Sequence, residues 1–448
     1  MAQRSIPKSK VARAAAIAVT GVKVGANYAR YKGSQLLNGE GDRERLHAAN
    51  AKDTYDAFSK LKGGPLKVAQ MLSIDQNLLP RAYFDQFSQA QYKAPPLSYP
   101  LVAQVFRKEF GKSPNEIFDR FTREAVSGAS IGQVHRASRG GQDFAVKVQY
   151  PGVAESLDSD IRLLKPFAKR MFNLTGREME PYFAEVRERL LEETDYGLEL
   201  ERSQRLSERS AVLRGVKFPA YHREFSSKRV LVMDWVEGKP LDLFALEAGQ
   251  LERDAVGQAL WDFFHHQIHE LREFHADPHP GNFLVDGENT LWVLDFGCVK
   301  SIEDSFYRRY FKLLDSAVEE DMDLLESCLR ELGLVLEEDG REERDLLLQM
   351  YRESVELLAR PFRVDRFNFG DPSYLQEIRD FGEKTSTDPR LKKISSARGS
   401  PDAIYLNRAY FGLYNLVATL GSNLTARLPD FLAGLRGRES EQPALVPS

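Results

Sequence analysis

The stretch 275–297, "HADPHPGNFLVDGENTLWVLDFG", constrains this chain more than any other part of it. Two carboxylates, Asp277 and Asp295, flank an amide, Asn282, and Pro278, Pro280 and Gly281 break the chain between the first two. The apolar run "LWVL" then reads as a strand that ends on Asp295. A fold that accepts this stretch must bring a broken loop and a strand end together as one oxygen-rich place. Such oxygens suit a hard cation such as Mg²⁺, and a carboxylate kept off the metal can take a proton.

The period of the apolar residues changes along the chain. Between 44 and 110 they recur at helical spacing, with "GG" and "PP" as punctuation. In "GASIGQVHRASRGGQDFAVKVQY", β-branched and apolar residues lie on either side of a "GG" turn, which predicts a hairpin with Lys147 inside its second strand. The charged stretch 179–213 reads as one long helix, bent near Gly197. "RVLVMDWVEG", 229–238, reads as a buried strand, and 255–274 as a helix with Leu260, Phe263, Phe264, Gln267, Leu271 and Phe274 on one face. The remainder to about 432 reads as helix and loop, with a polar passage at 360–402. The expected organisation is an α+β chain: a basic arm 1–43, a helical extension 44–118, a small β-rich unit 119–238, a helical unit 239–432 and a tail 433–448.

These parts match what phosphoryl transfer requires: a cover over the phosphates, a cation on them, a carboxylate holding that cation, metal ligands, and a base. Asp277 and Asn282 reproduce the five-residue offset of a kinase catalytic loop, and Asp295 opens a literal "DFG". Lys147 follows "FAV" and the Ser127–Gly128–Ala129–Ser130 loop, as a nucleotide lysine would.

Six motifs in order resemble the UbiB/ADCK (AarF-type) family of atypical kinases over about 44 to 432: "LKVAQMLS", "SGASIGQVHRA", "FAVKVQYPG", "EETDYGLELE", "HADPHPGN" and "LDFG". The resemblance implies a two-lobed protein-kinase-like fold, with a β-rich N-lobe, a helical C-lobe and a helical N-terminal extension. It further implies ATP and Mg²⁺ as cofactors, and a role around isoprenoid quinone (ubiquinone) biosynthesis or lipid homeostasis. By it, Lys147 holds the α- and β-phosphates and Glu199 pairs with Lys147. Ser127, Gly128, Ala129 and Ser130 cover the phosphates, Met233 is the gatekeeper, and the backbone of Asp234 and Val236 meets adenine. Asp277 takes the base position, with Asn282 and Asp295 on Mg²⁺. Lys67 and Gln70 of the extension form a family-specific polar set with Glu193 and Asp195. The sequence departs from the family where Ala69 precedes Gln70 and where Gly128 interrupts an alanine-rich loop. After "DFG" no "APE" follows, so peptide substrates are not expected.

In a straight helix Asp195 and Glu199 share a face at i and i+4, whereas Glu193 and Asp195 do not, so either that helix is distorted there or one of the two plays a lesser role. Competing readings are a small-molecule kinase of aminoglycoside or choline type, a nucleotide-binding pseudokinase scaffold, and a metal hydrolase built on His265, His269, His275 and His279. The "HExxH" pattern of zinc hydrolases is absent, and the histidines near the loop are expected to orient its backbone.

Composition sets outer bounds. With 42% hydrophobic and 10% aromatic residues over 448 positions, the chain can bury real cores. A formal net charge of −4 provides no global field for nucleic acid, which is not an expected partner. Cys298 and Cys328 alone fit a reducing compartment. The expected location is cytoplasmic or peripheral to a membrane, and mitochondrial in a eukaryote. Residues 1–39 carry basic residues and no acidic one before Glu40, which fits a membrane-surface helix, a transit peptide or a solvated arm.

Overall fold

The computed structural model describes residues 10–38, 43–61, 96–129, 131–172, 184, 187, 188, 190–394 and 398–426. Lys67, Gln70, Ser130 and the tail 433–448 lie outside the described residues. The chain forms two compact units, Met1–Gln204 with Pro219–Val236, and Arg205–Phe218 with Glu237–Ser448.

The first unit is organised by the antiparallel hairpin that the sequence predicts. Strand Gly132–Arg139 pairs with Gln142–Gln149 through the turn at Gly140 and Gly141. Both glycines have positive φ, +59° and +84°, a backbone that suits a two-residue hairpin and that side chains resist. Val230–Asp234 pairs with the other edge of Gln142–Gln149. Arg120–Phe121 and Ser127–Ala129 pair with Gly132–Arg139.

The twofold alternation of the strand sorts its side chains. Phe144, Val146 and Val148 enter a core with Val102, Val105 and Phe106 of helix Tyr99–Phe110, and with Phe118 and Phe121. Each large apolar side chain buried there contributes roughly 1.5–3 kcal/mol, and Val146→Asp would break the sheet's seat on the helix. Ala145 lies in the opposite cluster, where Tyr196 and Leu200 of helix Tyr196–Ser210 pack on Leu231 and Met233. Lys147 shares that face by alternation.

The long helix expected at 179–213 is interrupted. The chain is helical to Glu193, turns at Thr194, and begins the helix Tyr196–Ser210 one residue later. The break comes before Gly197 because Asp195 caps the new helix, its Oδ1 accepting from the Gly197 and Leu198 amides at 3.0 and 3.4 Å. Farther upstream, helix Lys10–Asn38 packs with Arg43–Leu61, and Asn27 donates to Asn50 and Asp53 at 2.9 and 3.0 Å. Val19 and Val22 of that first helix are exposed. No helix among the described residues is long and apolar enough to cross a membrane.

The second unit is mainly helical, with Trp261, Phe263 and Phe264 of helix Gln250–His265 buried at its centre. The helix expected to reach 274 ends earlier. A π-turn His266–Leu271 follows, Arg272 takes φ +56°, and Glu273–His275 is a strand. The Gln267 side chain draws the chain across, accepting from the His275 amide at 2.9 Å. The polar passage at 360–402 holds a helix, Pro372–Thr387, started by the Asp371 cap.

Candidate active site

The first unit places a cation. Lys147 Nζ donates to Glu199 Oε1 at 2.6 Å, and the two side chains are only 7% and 5% exposed. The Tyr196 ring lies 5.0 Å from the ammonium. Replacing a buried ion pair by apolar residues is often neutral or stabilising, so the pair adds little to the fold. Its consequence is an ammonium fixed in one position. Gly132 lets the parts close up: a Cβ there would lie 2.6 Å from both the Tyr196 hydroxyl and the Val148 carbonyl oxygen.

The other first-unit residues separate by role. Ser127–Ala129 forms a short strand beside Gly132–Val134, an extended edge ahead of the lysine strand. Met233 is buried against Ala145. The Asp234 amide is committed to the Ala220 carbonyl at 2.9 Å and its carboxylate to His222 and Gln142 at 2.7 and 2.8 Å, so what it can offer a ligand is its carbonyl. Val236 closes the same segment. Glu193 is buried. Asp195 is the helix cap described above and pairs with Lys228 at 3.2 Å, a structural role that accounts for its carboxylate.

The second unit gathers Asp277, Asn282 and Asp295 through two short ladders. Glu273–His275 pairs antiparallel with Val299–Ser301, and the Ala276 amide donates to the Cys298 carbonyl at 2.9 Å. Phe283–Val285 pairs with Leu291–Val293, and the Leu294 amide donates to the Asn282 carbonyl at 3.0 Å. The loop between Asp277 and Asn282 is thereby tied at both ends to the segment carrying Asp295. Within it the Asn282 Nδ2 donates to the Asp277 carbonyl at 2.9 Å, which turns Oδ1 outward as the available ligand atom. Asp295 Oδ1 accepts from the Gly297 amide at 2.6 Å, and Phe296 is fully buried as the anchor of that turn. Two hard oxygen donors, an amide and a carboxylate, fit Mg²⁺ chemistry.

His275 orients the loop backbone. It is buried, and its Nδ1 accepts from the Asp277 amide at 3.1 Å. Burial holds its pKa below the ordinary imidazole value, while the charges of Asp295 and Asp277 oppose that shift. Neutral His275 therefore carries its proton on Nε2. His279 acts similarly, its Nδ1 accepting from the Gly281 amide at 3.1 Å.

The other two histidines of the expected set, His265 and His269, pack into the interior. His265 Nδ1 donates to the Trp261 carbonyl at 2.8 Å, and burial lowers its pKa to about 4. His269 lies between the hydroxyls of Tyr307 and Tyr410 at 3.0 and 3.3 Å, its pKa also depressed, mainly by burial. No group of three or more His, Cys, Asp or Glu able to hold a metal occurs among the described residues.

Two residues beside Asp277 escape the sequence reading. Arg408 Nη2 donates to Asp277 Oδ1 at 2.9 Å from helix Pro401–Leu420. Gly412, one turn on, faces Pro278, where a Cβ would overlap the proline Cγ. A glycine inside a helix costs about 1 kcal/mol against alanine, and that misfit was the only local signal of a close approach.

The model of the ABC1 atypical kinase-like domain matches residues 89–329, more than half of the chain. The Arabidopsis thaliana chloroplastic protein Activity of BC1 Complex Kinase 8 is 31% identical over 62% of this chain and 38% of its own length. The mitochondrial atypical kinase COQ8 of Saccharomyces cerevisiae is 27% identical over 94% of this chain and 84% of its own. Among solved structures, the Rv3197–erythromycin complex from Mycobacterium tuberculosis superposes with a TM-score of 0.58 at 26% identity, covering 86% of this chain and 95% of that one. The fold is accordingly α+β and kinase-like.

Proposed function

The chain belongs to the ABC1 atypical kinase-like family, and on that premise we propose that it binds Mg-ATP and moves the γ-phosphoryl group to a small or lipidic acceptor, or to water. The observation that carries this reading is the buried Lys147–Glu199 pair at 2.6 Å, which supplies a fixed cation for the α- and β-phosphates. Ser127, Gly128 and Ala129 would cover those phosphates, and the carbonyl of Asp234 and the amide of Val236 would meet adenine beside Met233. Asn282 and Asp295 would hold Mg²⁺, whose charge neutralises the phosphate oxygens when it is bound. Asp277 accepts the proton of the attacking hydroxyl as the bond from its oxygen to Pγ forms and the bond from Pγ to the bridging oxygen breaks.

The acceptor class follows from the family resemblance. By that resemblance peptides are not the acceptor, and the role lies around isoprenoid quinone synthesis. The basic helix Lys10–Asn38, with Val19 and Val22 exposed, would contact an anionic membrane surface. The metal assignment is tested by thermal unfolding with ATP in the presence of Mg²⁺ or of EDTA. A ligand at a hundredfold excess over Kd stabilises by about 2.7 kcal/mol. The larger shift is expected with Mg²⁺, and equal shifts in both would remove Asn282 and Asp295 as its ligands.

A further inference from the structure

Helix Pro401–Leu420 lies beyond the residues 89–329 that the family model matches, yet it is built against the segment carrying the candidate base. Asp402, Tyr405, Arg408 and Gly412 recur at spacings of three and four and so share one helical face. Each meets the same region. Lys300, three residues past the "DFG" turn, pairs with Asp402 at 3.3 Å and lies 5.0 Å from the Tyr405 ring. Arg408 bonds Asp277 at 2.9 Å, with the two side chains 16% and 22% exposed. Gly412 gives room to Pro278, since a Cβ there would overlap its Cγ and lie 2.8 Å from its Cβ.

We propose that Arg408 is a positioning residue for the carboxylate of Asp277, and that Gly412 seats its helix on the loop so that the guanidinium reaches that carboxylate. The proposal rests on the reading of Asp277 as the base. The loop from Asp277 to Asn282 contains no lysine or arginine of its own. A charge-assisted bond from Arg408 to Oδ1 fixes the carboxylate's rotamer, and with it the direction from which the carboxylate takes the proton. Because Arg408 works through Asp277, its loss falls on turnover and spares nucleotide binding. Misplacing a reacting group by an ångström can cost about a hundredfold in rate, and that is the size of effect expected.

The test is steady-state ATP turnover and Mg-ATP-dependent thermal stabilisation for wild type, Arg408→Met, Arg408→Lys, Gly412→Ala, Asp277→Asn and the Asp277→Asn/Arg408→Met double variant. Arg408→Met should lower kcat about a hundredfold with KM for ATP changed less than about threefold, and Arg408→Lys should recover a large part of the loss. Gly412→Ala should lower kcat while keeping every charge. The double variant should be no slower than Asp277→Asn alone. If Arg408→Met fails to fold, Arg408→Lys and Gly412→Ala carry the same kcat and KM readouts. Unchanged kcat in Arg408→Met, a loss confined to KM, or a double variant slower by the full additional factor overturns the proposal. Wild-type turnover in Asp277→Asn would instead remove the base assignment itself, and the proposal with it.

Discussion

Removal of Glu199 separates a nucleotide-holding role for the Lys147 pair from a structural one. Glu199→Ala leaves the Lys147 ammonium, only 7% exposed, without the carboxylate that sits 2.6 Å from it. Breaking one partner of a buried pair costs about 3–5 kcal/mol, because the remaining charge is still desolvated. Against a total stability of about 5–15 kcal/mol this is a large fraction. The double variant Lys147→Met/Glu199→Leu removes both charges and fills the space with apolar volume, so it should recover most of that loss. It should nevertheless lose Mg-ATP binding, since nothing remains to hold the α- and β-phosphates. Urea unfolding measures the first quantity and calorimetric titration with Mg-ATP the second. A double variant as unstable as Glu199→Ala would show that the pair is needed for folding. Wild-type ATP affinity in the double variant would remove Lys147 from the nucleotide site.

Other consequences follow from single contacts. Gly132→Ala places a Cβ 2.6 Å from the Val148 carbonyl oxygen, which is backbone and cannot rotate away, so urea unfolding should show a loss of about 1–3 kcal/mol; no loss would mean the hairpin opens freely there. His265 has a folded-state pKa of about 4, below the ordinary imidazole value of 6.5. The unfolded chain therefore binds the extra proton first, and the stability His265 contributes is complete above about pH 6.5 and declines as pH falls toward 4. His265→Phe should flatten the urea-midpoint profile across that window, and an unaltered slope would contradict the burial argument. Arg398 forms two bonds of 2.6 Å to Asp339, whose side chain is only 2% exposed. Arg398→Met should cost about 3–5 kcal/mol at neutral pH, and a cost under 1 kcal/mol would count against a desolvated pair.

Much of the site was legible because its signals are local. The alternation around Lys147, the "GG" turn, the apolar run 229–238 and the offsets among Asp277, Asn282 and Asp295 each lie within a few residues, and the structure forms the hairpin, strand and loop from them. The helix break was half legible. Glu193 and Asp195 at i and i+2 point to a distortion, and Gly197 is the local breaker that the sequence offers, whereas the Asp195 side chain ends one helix by capping the next. The apolar stripe of 255–274 continues into Leu271 and Phe274 and so suggests a longer helix, although the Gln267 bond to His275 redirects the backbone. Arg408 was invisible for a different reason: it meets Asp277 from 131 residues away, and no local period records a pairing of that separation. Among the many carboxylates of its segment Glu199 stands out only by the family resemblance, and the structure brings it to Lys147 at 2.6 Å.

Phosphoryl transfer from Mg-ATP with Asp277 as the base is the reaction proposed for this protein. The most direct measurement is release or transfer of labelled γ-phosphate by wild type and by Asp277→Asn, each at Mg-ATP concentrations shown by titration to saturate it. The wild type should turn over, and Asp277→Asn should lose at least about a hundredfold while keeping nucleotide affinity within a few-fold of the wild type. Equal turnover in the two proteins, or nucleotide binding without any turnover in the wild type, would contradict it.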